Sequence, residues 1–179
     1  MIAFDVDGVR FNYRVGGVCF VDGQVLLQRA DFEDFWYLPG GRAEPLETSR
    51  ETLVREIIEE LGVEVEVHEL LWIVENFFQY NNKSFHELGL YYLITFPSVC
   101  SINDLSKTHC GTEPGGIELI YQWFPVNSLD EVRLFPKFLR TSLAKPPSVL
   151  EHVVQETETL WCTWRPRRPT SGSGYTPGS

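Results

Sequence analysis

The sequence predicts an α/β protein with one domain. Runs rich in Val, Phe and Tyr, bounded by turn signals, predict several β-strands. One segment, residues 49–61, instead repeats its apolar residues at helical spacing. The chain has 179 residues and 43% hydrophobic content, which is enough for one sizeable core and too little for two.

Before the helix, the sequence predicts two strands joined by a tight turn. Residues 13–21 form a strand-like run, the Asp-Gly pair at 22–23 is a hairpin signal, and residues 25–27 continue into the second strand. A short apolar piece at 36–38 is stopped by the Pro-Gly-Gly sequence at 39–41, which must form a turn or loop.

The predicted helix has clear start and stop signals. Thr48, followed three residues later by Glu51, fits a capping box, and Gly62 is a natural C-terminal cap. The apolar positions that we expect to pack against a sheet are Leu53, Val54, Ile57, Ile58 and Leu61.

After the helix, the pattern changes to that of a β-rich region. Strands are predicted over residues 63–67, 69–80, 85–96, 117–124 and 149–155, short helices over 129–132 and 136–143, and a polar loop over 98–116. The domain is therefore placed at residues 1–157. Residues 158–179 are predicted to be a flexible tail, because from about residue 166 the chain consists mainly of Arg, Pro, Ser, Gly and Thr.

Charge, apolar stretches and cysteine spacing indicate which partners and which cellular compartment to expect. The net charge of −10 disfavours general binding to DNA or RNA. The N-terminus lacks a basic start followed by an apolar run, and the longest nearly apolar stretch, residues 88–96, is too short to span a bilayer. The four cysteines show no CxxC pairing, so reduced thiols are expected. We therefore expect a cytoplasmic protein without nucleic-acid or membrane partners.

Three carboxylates lie on one face of the predicted helix. Because successive helical residues turn by about 100°, Glu56, Glu59 and Glu60 fall within roughly 100° of arc. Like charges repel, so such a cluster is natural where a divalent cation neutralises it, and carboxylate oxygens suit Mg²⁺ or Mn²⁺. Taken alone, the three residues could also form an ordinary solvated face.

The surrounding spacing decides between these interpretations. Residues 41–63 read Gly, five residues, Glu, seven residues, Arg-Glu, an aliphatic, one residue, Glu-Glu, one residue, Gly, an aliphatic. This pattern resembles the Nudix box at every defined position: Gly41, Glu47, Arg55, Glu56, Ile57, Glu59, Glu60, Gly62 and Val63. The resemblance extends in strand pattern over roughly residues 12–155. It implies a Nudix-like α/β/α sandwich with a mixed β-sheet.

The resemblance also implies roles for the box residues. Arg55 would orient the carboxylates through a salt bridge, and Glu47 would support the loop and the helix. The implied ligands of Mg²⁺ or Mn²⁺ are the carbonyl of Gly41 and the carboxylates of Glu56, Glu59 and Glu60.

The implied activity is hydrolysis of a diphosphate linkage in a nucleoside diphosphate derivative, by in-line attack of an activated water. ADP-ribose, a nucleotide sugar, a dinucleoside polyphosphate and a nucleoside triphosphate all remain open as substrates. The general base also stays open, with Glu60, Glu113 and Glu118 as candidates. Further candidates for substrate contact are Arg29, Arg42, Tyr80 and Glu87, each of which also fits a plain structural or surface role.

Two other functions fit the same fold. One is a non-catalytic sensor that binds a nucleotide ligand. The other is an isomerase, which would need a catalytic cysteine at Cys100 or Cys110. The intact box favours the hydrolase. The resemblance also allows a homodimer.

Overall fold

A computed structural model of the chain describes residues 1–113 and 115–160. Its strands are β1 (Ala3–Val6), β2 (Val9–Val18), β3 (Phe20–Val21), β4 (Gln24–Ala30), β5 (Glu66–Tyr80), β6 (Lys83–Thr95), β7 (His109–Thr112), β8 (Glu118–Pro125) and β9 (Glu151–Leu160). Its helices are α1 (Ser49–Leu61) and α2 (Leu139–Ser142), with short 3₁₀ turns at Ser101–Asn103 and Val126–Ser128. The tail was predicted to begin at residue 158, but β9 continues to Leu160; from residue 161 onward the chain lies outside the described residues.

The strands form two sheets. The larger has the order β1-β2-β6-β5-β9, and the smaller has the order β3-β4-β8-β7. In the larger sheet β2 runs parallel to β6 and β5 runs parallel to β9, whereas the other pairs are antiparallel. The prediction of an α/β fold with a mixed sheet is confirmed.

Hydrophobic residues pack on both sides of this β-structure. Adjacent residues of β4 point to opposite faces, so Leu26 joins one buried cluster and Leu27 joins the other. Leu53 and Ile57 of α1 belong to the first cluster, and Leu139 of α2 belongs to the second. The helices therefore lie on opposite sides, as in the predicted α/β/α arrangement.

The helix α1 has both predicted caps. The Thr48 side chain accepts a hydrogen bond from the backbone of Glu51, the Glu51 carboxylate accepts one from the backbone of Thr48, and Gly62 adopts the left-handed conformation with φ 69°. The predicted apolar stripe is only partly buried, because Ile58 is turned away from the sheet and is 44% exposed. The helix thus packs through one side of that stripe.

Several predicted elements differ from the structure. Residues 63–65 pair with no strand in the described chain, although Val65 is buried, so the alternation there reflects packing rather than a ladder. No helix forms over residues 129–132; a 3₁₀ turn precedes them and Leu129 serves as a buried anchor. The helix predicted over 136–143 is reduced to Leu139–Ser142.

Two strands were not predicted. The edge strand β1 is largely exposed and carries little apolar signal. The strand β7 lies within the predicted polar loop, because His-Cys-Gly-Thr has no strand pattern and becomes extended only by pairing with β8. The strand predicted over 149–155 is confirmed as part of β9. In the described part of the chain, no helix is both long and apolar enough to cross a membrane.

We expect the two faces of α1 to differ sharply in their contribution to stability. Leu53 is fully buried, whereas Ile58 is 44% exposed. Leu53→Ala should lower the free energy of unfolding by about 3 kcal/mol through lost transfer energy and a cavity. The matched control Ile58→Ala should cost less than about 1 kcal/mol. Urea unfolding of both variants measures the difference, and equal losses would contradict this packing of α1.

Candidate active site

The loop before α1 is hydrogen-bonded to the part of β2 that follows its pairing with β1. The Val15 N–H donates to the Gly41 carbonyl at 2.8 Å, and the Gly17 N–H donates to the Pro39 carbonyl at 2.7 Å. A Cβ atom at position 41 would lie 2.1 Å from the carboxyl carbon of Glu56. Only glycine therefore lets the Glu56 carboxylate lie directly on this loop.

Arg55 connects the loop to the helix carboxylates. Its Nε and Nη2 atoms donate to the two carboxylate oxygens of Glu47 at 2.8 and 3.0 Å. Its Nη1 atom donates to Glu56 at 2.9 Å and to Glu59 at 3.1 Å, and its Nη2 atom also donates to the Arg42 carbonyl at 3.1 Å. Bidentate and branched hydrogen bonds of this kind fix the orientation of the carboxylates that accept them.

Glu47 accepts further hydrogen bonds from both elements. The Glu44 N–H donates to it at 3.1 Å, and the Thr52 hydroxyl donates at 2.8 Å. The hydrogen bonds from Arg55 lower the pKa of Glu47 to about 2, assisted by those from Glu44 and Thr52. Glu47 therefore stays ionised and joins the start of the loop to the first turns of the helix.

Glu60 lies deeper than the other two carboxylates and is 5% exposed. Burial raises its pKa to about 8, while the hydrogen bond donated by the Tyr121 hydroxyl opposes this rise. Gly111 of β7 packs against the same residue, since a Cβ there would lie 2.5 Å from the Glu60 carbonyl oxygen. The smaller sheet thus contacts the helix directly at Glu60.

Tyr121 was not singled out from the sequence. Its position in β8, between the buried residues Leu119 and Trp123, indicates that it faces the core. A buried tyrosine hydroxyl needs a partner. Nothing in the sequence specifies that the partner is Glu60, which is 61 residues away.

A cavity of about 460 Å³ brings the helix carboxylates together with groups from other elements. These groups are Gly40, Gly41, Glu56, Glu59, Glu60, Glu113, Arg14, Arg42, Arg55, Glu44 and Met1. A larger groove of about 970 Å³ runs along the outer flank of α1. Of the three helix carboxylates, that groove contains only Glu59. The smaller cavity is therefore the better candidate for the active site.

The carboxylates of this cavity fit a hard divalent cation by donor type, and glycine at position 41 leaves room for Glu56. Burial raises the pKa of Glu56 as well as that of Glu60, so a cation would be a natural counter-charge. As the side chains stand, no three acidic, His or Cys groups among the described residues are arranged around a common metal position. Glu56 and Glu59 bind Arg55 instead, and Glu60 accepts its bond from Tyr121.

Besides Arg55, the cavity is lined by two further arginines, Arg14 and Arg42. Arg42 was a predicted substrate contact, whereas Arg14 had no distinguishing sequence signal. The Arg14 guanidinium donates to the carbonyls of Leu38 and Gly40, each at 3.1 Å. Burial and the positive charge of Arg14 both lower the pKa of Arg42. Two close cations in one cavity are a favourable site for an anion.

The other predicted contacts lie apart from this cavity. The Arg29 guanidinium donates to three carbonyls of residues 30–33 and packs 5.2 Å from the Trp36 ring, so it holds a loop. Glu118 is exposed on β8. The Tyr80 hydroxyl donates to Glu33 at 3.2 Å at the far end of β5.

Glu87 and the two cysteines of the isomerase hypothesis, Cys100 and Cys110, do not line the cavity. Glu87 is buried on β6, where it accepts a hydrogen bond from Asn76 at 3.4 Å. Cys110 is exposed and precedes Gly111, so its side chain points away from Glu60. Cys100 is partly buried against the hydrophobic cluster that includes Leu53 and Ile57. Neither cysteine lines the cavity, which gives no support to the isomerase hypothesis.

Comparison with known families agrees with this geometry. The NUDIX domain model matches residues 10–145, and the chain therefore belongs to the Nudix family. The family predicted from the box is confirmed.

Individual relatives match over parts of the chain. CTP pyrophosphohydrolase from Escherichia coli is 44% identical over 52 residues, covering 27% of this chain and 38% of that protein. Human diphosphoinositol polyphosphate phosphohydrolase 2 is 36% identical over 77 residues, covering 41% of this chain and 42% of that protein. The matches thus span about two-fifths of these relatives' lengths.

Solved structures share the fold. The mutator MutT protein from Bacillus halodurans superposes with a TM-score of 0.55 at 18% identity, covering 86% of this chain and 93% of that chain. A UDP-X diphosphatase gives a TM-score of 0.51 at 22% identity, covering 79% of this chain and 66% of that chain. At these identities the likeness concerns the fold alone.

We expect the Arg55–Glu47 pair to make stability depend on acid pH. Since folding lowers the pKa of Glu47, the stabilisation is complete above the ordinary glutamate range and is lost as the pH falls towards about 2. Glu47→Gln should therefore show a flatter decline in melting temperature than the wild type below about pH 5. Glu69→Gln, at an exposed position of β5, controls for the loss of one charge. Parallel curves for wild type and Glu47→Gln would contradict the assignment.

Proposed function

We propose that this protein hydrolyses a diphosphate linkage in a nucleoside diphosphate derivative, using Mg²⁺ or Mn²⁺. The observation that carries the proposal is one cavity lined by Glu56, Glu59 and Glu60 of α1 together with Arg14 and Arg42. Acidic and basic groups in one cavity suit a substrate with anionic oxygens held partly through a cation. The names of the pyrophosphohydrolase and phosphohydrolase relatives support the same reaction class.

The helix carboxylates would hold the cation, with Arg55 fixing two of them. The Gly41 carbonyl could contribute as well, since its bond from Val15 uses one of its two lone pairs. When bound, Mg²⁺ or Mn²⁺ supplies positive charge at the diphosphate and lowers the pKa of its water. The buried Tyr121 hydroxyl orients Glu60 within this set.

Other residues that line the cavity would bind the substrate and act as the general base. Arg14 and Arg42 would bind the phosphate oxygens and fix the direction of attack. Of the three candidates for the general base, Glu113 fits best, because it lines the cavity from the loop after β7 and is partly buried. Glu118 lies outside the cavity, and Glu60 is assigned to the cation. The cytoplasmic location and a homodimer stay predictions.

The direct test is a substrate panel. ADP-ribose, nucleotide sugars, dinucleoside polyphosphates and nucleoside triphosphates would be incubated with the full chain and Mg²⁺ or Mn²⁺, with release of phosphate or nucleotide measured. We expect turnover of at least one class, abolished by EDTA and restored by added metal. Tight binding of a nucleotide ligand without turnover of any substrate would instead favour the sensor function.

Substitution of the helix carboxylates should separate activity from folding. We expect Glu59→Gln and Glu60→Gln each to lower kcat/KM by at least about 100-fold, because each removes a negative oxygen from the cation site. Circular dichroism should show that both remain folded. Glu69→Gln, exposed on β5, should retain wild-type turnover. Full activity of both helix variants would overturn the metal assignment.

A further inference from the structure

Glu60 lies at the end of α1 where a negative charge is least favoured. It belongs to the last turn of Ser49–Leu61, and that turn carries no basic side chain. The last turn of a helix presents carbonyl oxygens with partial negative charge, so the helix dipole repels a carboxylate there. The charges of Glu56 and Glu113 also repel Glu60, whereas that of Arg14 attracts it. Contacts from outside the helix are therefore needed to hold this carboxylate in one orientation.

The three helix carboxylates are held by two different groups. Arg55 donates to Glu56 at 2.9 Å and to Glu59 at 3.1 Å. Glu60 instead accepts a hydrogen bond at its Oε2 atom from the Tyr121 hydroxyl. A carboxylate without a proton only accepts hydrogen bonds, so the tyrosine is the donor. This bond occupies one oxygen of Glu60 and leaves the other, Oε1, for a cation.

The Tyr121 side chain is itself fixed in place. The residue is fully buried on β8, where it pairs with Gln28 of β4 on one side and with His109 of β7 on the other. A Cβ atom at Gly111 would lie 2.9 Å from the ring carbon Cε2 of Tyr121, so the ring packs closely over this glycine. A ring confined by close packing on a paired strand has little freedom to swing. The hydroxyl therefore offers Glu60 a donor at a fixed position.

Both contacts with Glu60 come from one antiparallel hairpin, formed by β7 and β8. Gly111 of β7 packs against the Glu60 carbonyl, and Tyr121 of β8 binds its carboxylate. The turn between the two strands carries Glu113, whose N–H donates to the Ile117 carbonyl at 2.9 Å. Glu113 lines the same cavity as Glu60. One hairpin thus locates a helix carboxylate and the candidate general base relative to each other.

We propose that Tyr121 is a positioning residue for the cation site, which holds Oε2 of Glu60 so that Glu60 binds Mg²⁺ or Mn²⁺ through Oε1 alone. The inference rests on the proposed function, because it requires Glu60 to be a ligand of the cation. Mg²⁺ needs near-ideal octahedral geometry, so a ligand oxygen that is already in place favours binding. Loss of a group that orients a ligand typically lowers metal affinity by about 10- to 100-fold.

Equilibrium binding of Mn²⁺ to the full chain, without substrate, tests this inference. Tyr121→Phe removes the hydroxyl and keeps the ring, and free Mn²⁺ is measured by electron paramagnetic resonance. We expect the Mn²⁺ affinity to fall by about tenfold. The matched control is Tyr92→Phe. Tyr92 is buried in the same cluster, and its hydroxyl forms a 2.7 Å hydrogen bond with Ser49 at the opposite end of α1.

The two variants separate positioning of the ligand from general support of the helix. Each deletes one hydrogen bond between a buried tyrosine and α1, so each should lower the melting temperature slightly. Only Tyr121→Phe should weaken Mn²⁺ binding. Because Tyr121 acts through Glu60, adding Tyr121→Phe to Glu60→Gln should weaken Mn²⁺ binding no further than Glu60→Gln does alone.

The outcomes distinguish this inference from the proposed function. Unchanged Mn²⁺ affinity in Tyr121→Phe, an equal loss in Tyr92→Phe, or additive losses in the double variant would each overturn the positioning role, while the metal site itself would stand. Absence of Mn²⁺ binding to the wild type would overturn the metal assignment and the positioning role together. A loss confined to Tyr121→Phe that disappears in the Glu60→Gln background would support the inference.

Discussion

The arrangement of the candidate site depends on the contacts of one guanidinium. Arg55 binds Glu47 with two hydrogen bonds, reaches the Arg42 carbonyl, and holds Glu56 and Glu59. The loop before α1 and the helix itself are separate elements, and the hydrogen bonds of Arg55 join them together with the bond from Thr52 to Glu47. Burial of several like charges is tolerable here because Arg55 is a delocalised cation that can satisfy several oxygens in one plane.

The cavity brings acidic and basic groups together. The helix carboxylates line the same cavity as Arg14 of β2 and Arg42 of the loop before α1. Burial disfavours the charged form of both kinds of group, since it raises the pKa of Glu60 and lowers that of Arg42. Perturbed pKa values of this kind are typical of sites that act on charged ligands. They indicate where the active site lies, which the acidic composition of the whole chain does not.

The sequence predicted what depends on local spacing. The capping residues of α1, the helical phase of its carboxylates, and the long hairpin of β5 and β6 all follow from residues close together in the chain. It did not predict what depends on distant contacts. β7 forms only by pairing with β8, Tyr121 finds Glu60 across 61 positions, and Arg14 enters the cavity because the box loop folds back along β2. Glu87 was singled out from the sequence, but its pairing with Asn12 and Asn76 follows only from the strand register.

The contact of Gly111 with Glu60 limits how the protein can be redesigned. The stretch after β6 looks like an ordinary surface connection that could be exchanged to alter specificity. A Cβ at position 111 would, however, lie 2.5 Å from the helix backbone at Glu60. A grafted segment must therefore supply a residue without a side chain at that point. A library that varies these residues freely would displace the helix from its sheet before it sampled new ligand contacts.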